Sequence, residues 1–91
     1  LEGYIKVPVT DLYHFYLSSD DGSMLYVDGE KLVDNNGLHG LEEVKGTKAL
    51  AAGYHRIRIE YFEKSGGDEL HLMIESKTDK KKELPALMLF H

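Results

Sequence analysis

Two aspartates stand side by side in the stretch SSDDGSMLYVDG, residues 18–29, as Asp20 and Asp21 ahead of Gly22. Carboxylates are hard oxygen donors, and calcium takes six to eight such oxygens at roughly 2.3–2.6 Å. A neighbouring pair plus loop carbonyls therefore suits calcium better than zinc. Adjacent side chains of a regular strand point to opposite faces, so both reach one ion only where the backbone between them bends. A cis peptide between the two would supply that bend at about 3–4 kcal/mol, tolerated where the surroundings or a ligand compensate. The same three residues also make an ordinary tight turn, with Asp20 accepting backbone hydrogen bonds and Gly22 taking a positive φ. The residues alone leave both readings open.

Other candidate groups lie further along the chain. Asn35, Asn36 and His39 occupy NNGLHGLEEVKG, residues 35–46, a stretch with three glycines and no clean period that reads as a long loop with one helical turn. Their polar groups suit sugar hydroxyls, and the asparagines equally suit Asx turns. Asp28-Gly29 reads as a hairpin turn, since both residue types tolerate positive φ. Tyr13, Tyr26, Tyr54 and Tyr61 offer rings on which a sugar can stack, although alternation turns Tyr13 and Tyr61 inward. The five histidines show no helical metal-ligand spacing. Ser18, Ser19 and Ser23 lack the glycine pattern of a nucleophile elbow, and Asp20 and Asp21 are neighbours rather than an acid and base facing across a cleft. No catalytic constellation is legible, so the chain is expected not to be an enzyme in itself.

Composition narrows the partners. The chain has 91 residues with a net charge of -5, and its basic residues are scattered except for Lys80, Lys81 and Lys82. Nucleic-acid affinity rests on clustered positive charge, so nucleic acid is not an expected partner, and the lysine run reads as a solvated loop. No apolar run reaches the roughly 18–20 residues of a membrane span. The absence of cysteine excludes disulfides and thiolate metal sites. The length fits one small domain over 1–91, and the start at Leu1-Glu2-Gly3 is expected to reflect excision from a longer protein.

These residues need strands to hold them. Ile5, Val7 and Val9 alternate with Tyr4, Lys6 and Pro8, and Pro8 marks an edge or a strand end. Tyr13, Phe15 and Leu17 form the apolar side of a second strand, Leu25 and Val27 that of a third, and Lys31 to Asp34 returns as a fourth. Thr47 to Ala52 is short and apolar. Tyr54 to Glu63 turns His55, Ile57, Ile59 and Tyr61 one way and Arg56, Arg58 and Glu60 the other. Glu69 to Ser76 buries Leu70, Leu72 and Ile74, and a last strand is expected near Leu84 to Phe90. A hairpin pairing Ile59 with Leu72 and Tyr61 with Leu70 would also set Arg56 opposite Glu75 and Glu60 opposite His71. With no amphipathic helix of useful length, the expectation is an all-β antiparallel sandwich or barrel of about six to eight strands.

The runs GYIKVP (3–8), LYHFYLSSDDGSMLYVDG (12–29) and AAGYHRIRIEYFEKSGGDELHL (51–72) together resemble the PA-fourteen domain. That family is named for the fourteen-kilodalton fragment of anthrax protective antigen and recurs in yeast flocculins, adhesins and accessory modules of bacterial glycosidases. The resemblance covers about residues 3–76. It implies a β-sandwich on a secreted, periplasmic or cell-surface protein, truncated or short at the N-terminus, where family members carry further strands. It also implies a non-catalytic carbohydrate-binding module attached to a glycan-degrading enzyme or adhesin. In lectin-type relatives a cis Asp-Asp pair binds calcium, the calcium coordinates sugar hydroxyls, and Asp20 and Asp21 match that pair. Those relatives add an Asn from the loop after the long penultimate strand. Here that loop has none, and Glu63 or Asp68 stands in as the oxygen donor. The competing expectation is a structural or protein-interaction module that positions neighbouring domains, with neither metal nor sugar.

Overall fold

The computed structural model describes residues 2–19, 22–35, 42–62, 70–84 and 89–90. Nine strands cover most of them: β1 (Glu2–Val7), β2 (Asp11–Ser19), β3 (Gly22–Val27), β4 (Glu30–Asn35), β5 (Glu42–Leu50), β6 (Gly53–Phe62), β7 (Leu70–Glu75), β8 (Lys82–Glu83) and β9 (Leu89–Phe90). They form two antiparallel sheets, one in the order β4-β3-β6-β1-β9 and one in the order β5-β2-β7-β8. The all-β sandwich is thus as expected, with more strands than the sequence suggested.

Alternation explains which sheet faces touch. Ile5, Val7, Leu25, Val27, Val33, Ile57 and Ile59 are buried from the five-stranded sheet, and Tyr13, Phe15, Leu17, Leu50, Leu72 and Ile74 from the four-stranded one. Each set lies at spacing two along its strand, so the pleat turns all of it to one side, where the two sheets share a core. The phenol of Tyr13 is buried with its ring, and its hydroxyl donates to the Val9 carbonyl at 2.6 Å. That bond satisfies a polar group that would otherwise be costly in the core.

Several expectations need correcting. Strands β6 and β7 do not form a hairpin, because β6 pairs with β1 and β3 while β7 pairs with β2 and β8. Ile59 and Leu72 do share one core, but from opposite sheets. The charge pairs expected of that hairpin are replaced by others: Arg56 pairs with Glu2, and the His71 ring lies 2.8 Å from Glu83. Glu60 lies instead near Arg58 and Tyr26. Strand β5 begins at Glu42, so residues 42–46 are strand rather than loop.

Gly46 lies within β5 because the sheets come close there. A Cβ at Gly46 would sit 2.7 Å from Val33 Cγ2 and 2.8 Å from the Leu32 carbonyl oxygen. Val9 falls beyond the end of β1 and is exposed, as Pro8 ends that strand. The C-terminal stretch forms two short strands, β8 and β9, rather than one. The lysine run is not simply solvated, since Lys81 Nζ stands 4.0 Å from the centre of the Tyr16 ring and 3.0 Å from Glu43, and Lys82 opens β8.

Candidate functional site

Strand register gathers at one end of the sandwich the strand ends that flank the candidate residues. Ser19 is opposite Glu42 on one side and Leu70 on the other, Gly22 is opposite Phe62, and Ser23 is opposite Asn35. The six strand ends Ser19, Gly22, Asn35, Glu42, Phe62 and Leu70 therefore gather together. They bound the connections 20–21, 36–41 and 63–69. Asp20, Asp21, Asn36, His39, Glu63 and Asp68 lie in these connections, outside the described residues. The topology thus brings together strand ends that the sequence scatters from Ser19 to Leu70.

Beneath these connections is a floor of neutral polar groups. Ser19 and Ser23 are both fully buried, and their hydroxyl oxygens stand 2.7 Å apart. Asn35 is 4% exposed, and its amide nitrogen donates to the Leu17 carbonyl at 3.1 Å. Both contacts cross from the five-stranded sheet to the four-stranded one, so they fix the strand ends from which the connections spring. Asn35 was expected among the sugar-contacting residues, but the structure puts it under the site as a brace. Ser19 and Ser23 were weighed in the sequence solely as nucleophiles. They fall in phase with the buried Leu17 and Leu25, and that phase is the signal that could have marked them as interior.

The opposite end is organised by charge. Asp28 and Gly29 both take positive φ, 52° and 85°, as the Asp-Gly signal predicts for a hairpin turn. The Asp28 carboxylate accepts the Arg56 backbone N–H at 3.1 Å and lies 2.6 Å from His55 Nδ1. The other ring nitrogen of His55 is 2.7 Å from the Ala51 carbonyl. Both neighbours of the ring are acceptors, so the ring donates twice as an imidazolium. The Ala51 carbonyl foremost, with Asp28, raises the His55 pKa against the opposing effect of burial. Burial pushes the Asp28 carboxyl up, but the hydrogen bonds from His55 and Arg56 outweigh it and leave its pKa lowered. Lys48 adds an ion pair to Glu30 at the same end.

A cavity of about 280 Å³ opens between the β1 and β7 edges, lined mainly by Ile5, Val7, Tyr13, Ile74 and Leu84. It lies toward the Asp28 end, away from the acidic pair. Among the described residues, no three His, Asp or Glu side chains are grouped to hold a metal. No helix among them is long and apolar enough to cross a membrane.

The fold is a two-sheet antiparallel β-sandwich, and sequence comparison gives its family. The profile of the PA14 domain matches residues 1–86, and the chain belongs to that family. It is 30% identical over 89 residues to the anti-sigma-I factor RsgI3 of Acetivibrio thermocellus, a match spanning 97% of this chain and 14% of that protein. Among solved structures it is similar to an anti-sigma factor domain-containing protein, with 30% identity and a TM-score of 0.87, over 98% of this chain and 31% of the other. A PA14 sugar-binding domain from an RTX adhesin shares the fold, with a TM-score of 0.75 at 19% identity, over 99% of this chain and 51% of the other. The chain therefore spans a small part of the longer relatives it matches.

Proposed function

We propose that this chain is a non-catalytic carbohydrate-binding module of a longer, surface-exposed or secreted polypeptide, with its sugar site at the end of the sandwich that carries Asp20 and Asp21. The observation that carries this reading is the convergence of six strand ends on the connections holding every acidic candidate, above a braced and fully buried polar floor. Membership of a family that includes a sugar-binding adhesin domain supports it. Asp20 and Asp21 hold calcium, with Glu63 or Asp68 completing the oxygen set, and Asn36 and His39 contact sugar hydroxyls. Bound calcium supplies a hard cation to which vicinal hydroxyls coordinate. The chain's own residues supply the negative charge and the fixed loop ends. Binding needs no proton transfer.

Similarity to anti-sigma factor proteins favours a sensory use over attachment to an enzyme. In that use, sugar captured by this module reports the presence of a glycan to the rest of the polypeptide. The competing reading is a spacer or protein-docking module with no ligand of its own.

Calorimetric titration with soluble glycans, in calcium and again in chelator, separates the two. The carbohydrate reading predicts heat of binding in calcium that vanishes in chelator and in an Asp20→Asn/Asp21→Asn variant. Titrations that stay flat across a broad glycan panel in calcium would sink it in favour of the spacer.

A further inference from the structure

The outer face of the five-stranded sheet carries a second concentration of groups suited to sugar. Inward positions of β1, β3 and β6 are filled by Ile5, Val7, Leu25, Val27, Ile57 and Ile59, so the alternate residues project outward. Register sets Tyr26 beside Arg58, Tyr4 beside Arg56, and Tyr54 beside Lys6, making one continuous band across three strands. Tyr4 is 54% exposed and Tyr54 71%, the largest exposure of a big hydrophobic side chain among the described residues. The Arg58 guanidinium lies 4.3 Å from the centre of the Tyr26 ring, which holds that ring in place. A small cleft bounded by Tyr26, Gly29, Arg56 and Arg58 continues the band to the β3–β4 turn.

We propose that this face is a second, calcium-independent carbohydrate surface, which takes an extended neutral polysaccharide chain. Strand spacing and register put Tyr26 on β3 and Tyr4 on β1 about 12 Å apart, a little more than the length of a disaccharide. Exposed rings meet the C–H faces of sugars, while planar guanidinium donors and carboxylate acceptors between them meet hydroxyl groups.

Charge selects the class of ligand. Arg56 is paired with Glu2, and Arg58 lies 3.3 Å from Glu60, so the band presents fixed donors and acceptors rather than a net positive field. Lys6, 5.5 Å from the centre of the Tyr54 ring, adds one cation to these paired groups, and a polyanion needs a wider cluster of positive charge than this band and a chain of net charge -5 offer. The outward positions of β1 and β6 over this band carry no aliphatic side chain. The surface is separate from the acidic end of the sandwich and stands or falls independently of it.

The test is affinity electrophoresis of the 91-residue chain in gels containing hydroxyethylcellulose, a neutral mannan, or polygalacturonate, all with chelator present. The expected result is retardation by a neutral glycan that survives about 0.5 M salt. Tyr54→Ala and Tyr4→Ala should weaken it about ten-fold or more, while Asp20→Asn/Asp21→Asn leaves it unchanged. Both tyrosines are exposed, so these variants keep the wild-type melting curve. The proposal is overturned by free migration in both neutral gels. Retardation confined to polygalacturonate and abolished by salt also overturns it, as does self-association in sedimentation that Tyr54→Ala removes. Calorimetric failure at the acidic end with retention here would reject the calcium site alone.

Discussion

The two ends of the sandwich are held by different chemistry. At the Asp28 end the connections are charged: an imidazolium between a carboxylate and a carbonyl, and a lysine on a glutamate. At the Ser19 end they are neutral and buried: a hydroxyl pair and an amide on a carbonyl. The contrast teaches that the contacts described at the Ser19 end are neutral and buried where those at the Asp28 end are charged and partly exposed. The Asp28 end spends its acid and its histidine on structure.

The sharpest way to break this comparison is to disturb what both ends share. Gly46→Val forces a side chain against the Leu32 carbonyl and the Val33 methyl. It should cost about 3 kcal/mol, read as a fall in the urea midpoint with the slope unchanged. Asn35→Leu removes the brace at the candidate end and strands the Leu17 carbonyl. A loss of about 2 kcal/mol is expected, read as a fall in the urea midpoint.

His55→Gln should behave differently. The folded His55 pKa is raised above its ordinary 6.5, so its contribution is fully present below that value and fades as pH rises through the folded pKa. Denaturation at pH 6 should show a loss of about 1 kcal/mol that shrinks toward pH 8.5. Asp28, with a lowered pKa, contributes above its ordinary 3.8 and loses that contribution as pH falls through the folded value. Asp28→Asn should therefore flatten the acid limb. Lys48→Met, at the same end, should cost the least, about 0.5 kcal/mol, and lose even that at high salt.

Much of this architecture is written in local alternation. Tyr13, Phe15 and Leu17, or Ile57 and Ile59, name their buried faces directly, and Asp28-Gly29 names its turn. Alternation does not say which sheet a strand joins. Ile59 and Leu72 meet in one core whether their strands lie side by side or face each other from opposite sheets, so the expected β6–β7 hairpin satisfied the same rule as the observed crossing. The start of β5 was hidden because Gly46, needed for close approach of the sheets, reads in sequence as a loop residue. The gathering of the connections at one end is likewise a product of long-range register. The inward phase of Ser19 and Ser23 was readable beside Leu17 and Leu25, while their pairing across the sheets and the bond from Asn35 required the fold.

The most direct test of the central claim is thermal melting of the wild type and of Asp20→Asn/Asp21→Asn, each with saturating calcium and with chelator. A ligand that binds the folded state alone at about a hundred times its Kd adds about 2.7 kcal/mol, which for a domain of this size raises the midpoint by about 10 °C. The account predicts such a rise in the wild type and none in the variant. Superimposable wild-type curves with and without calcium would contradict it.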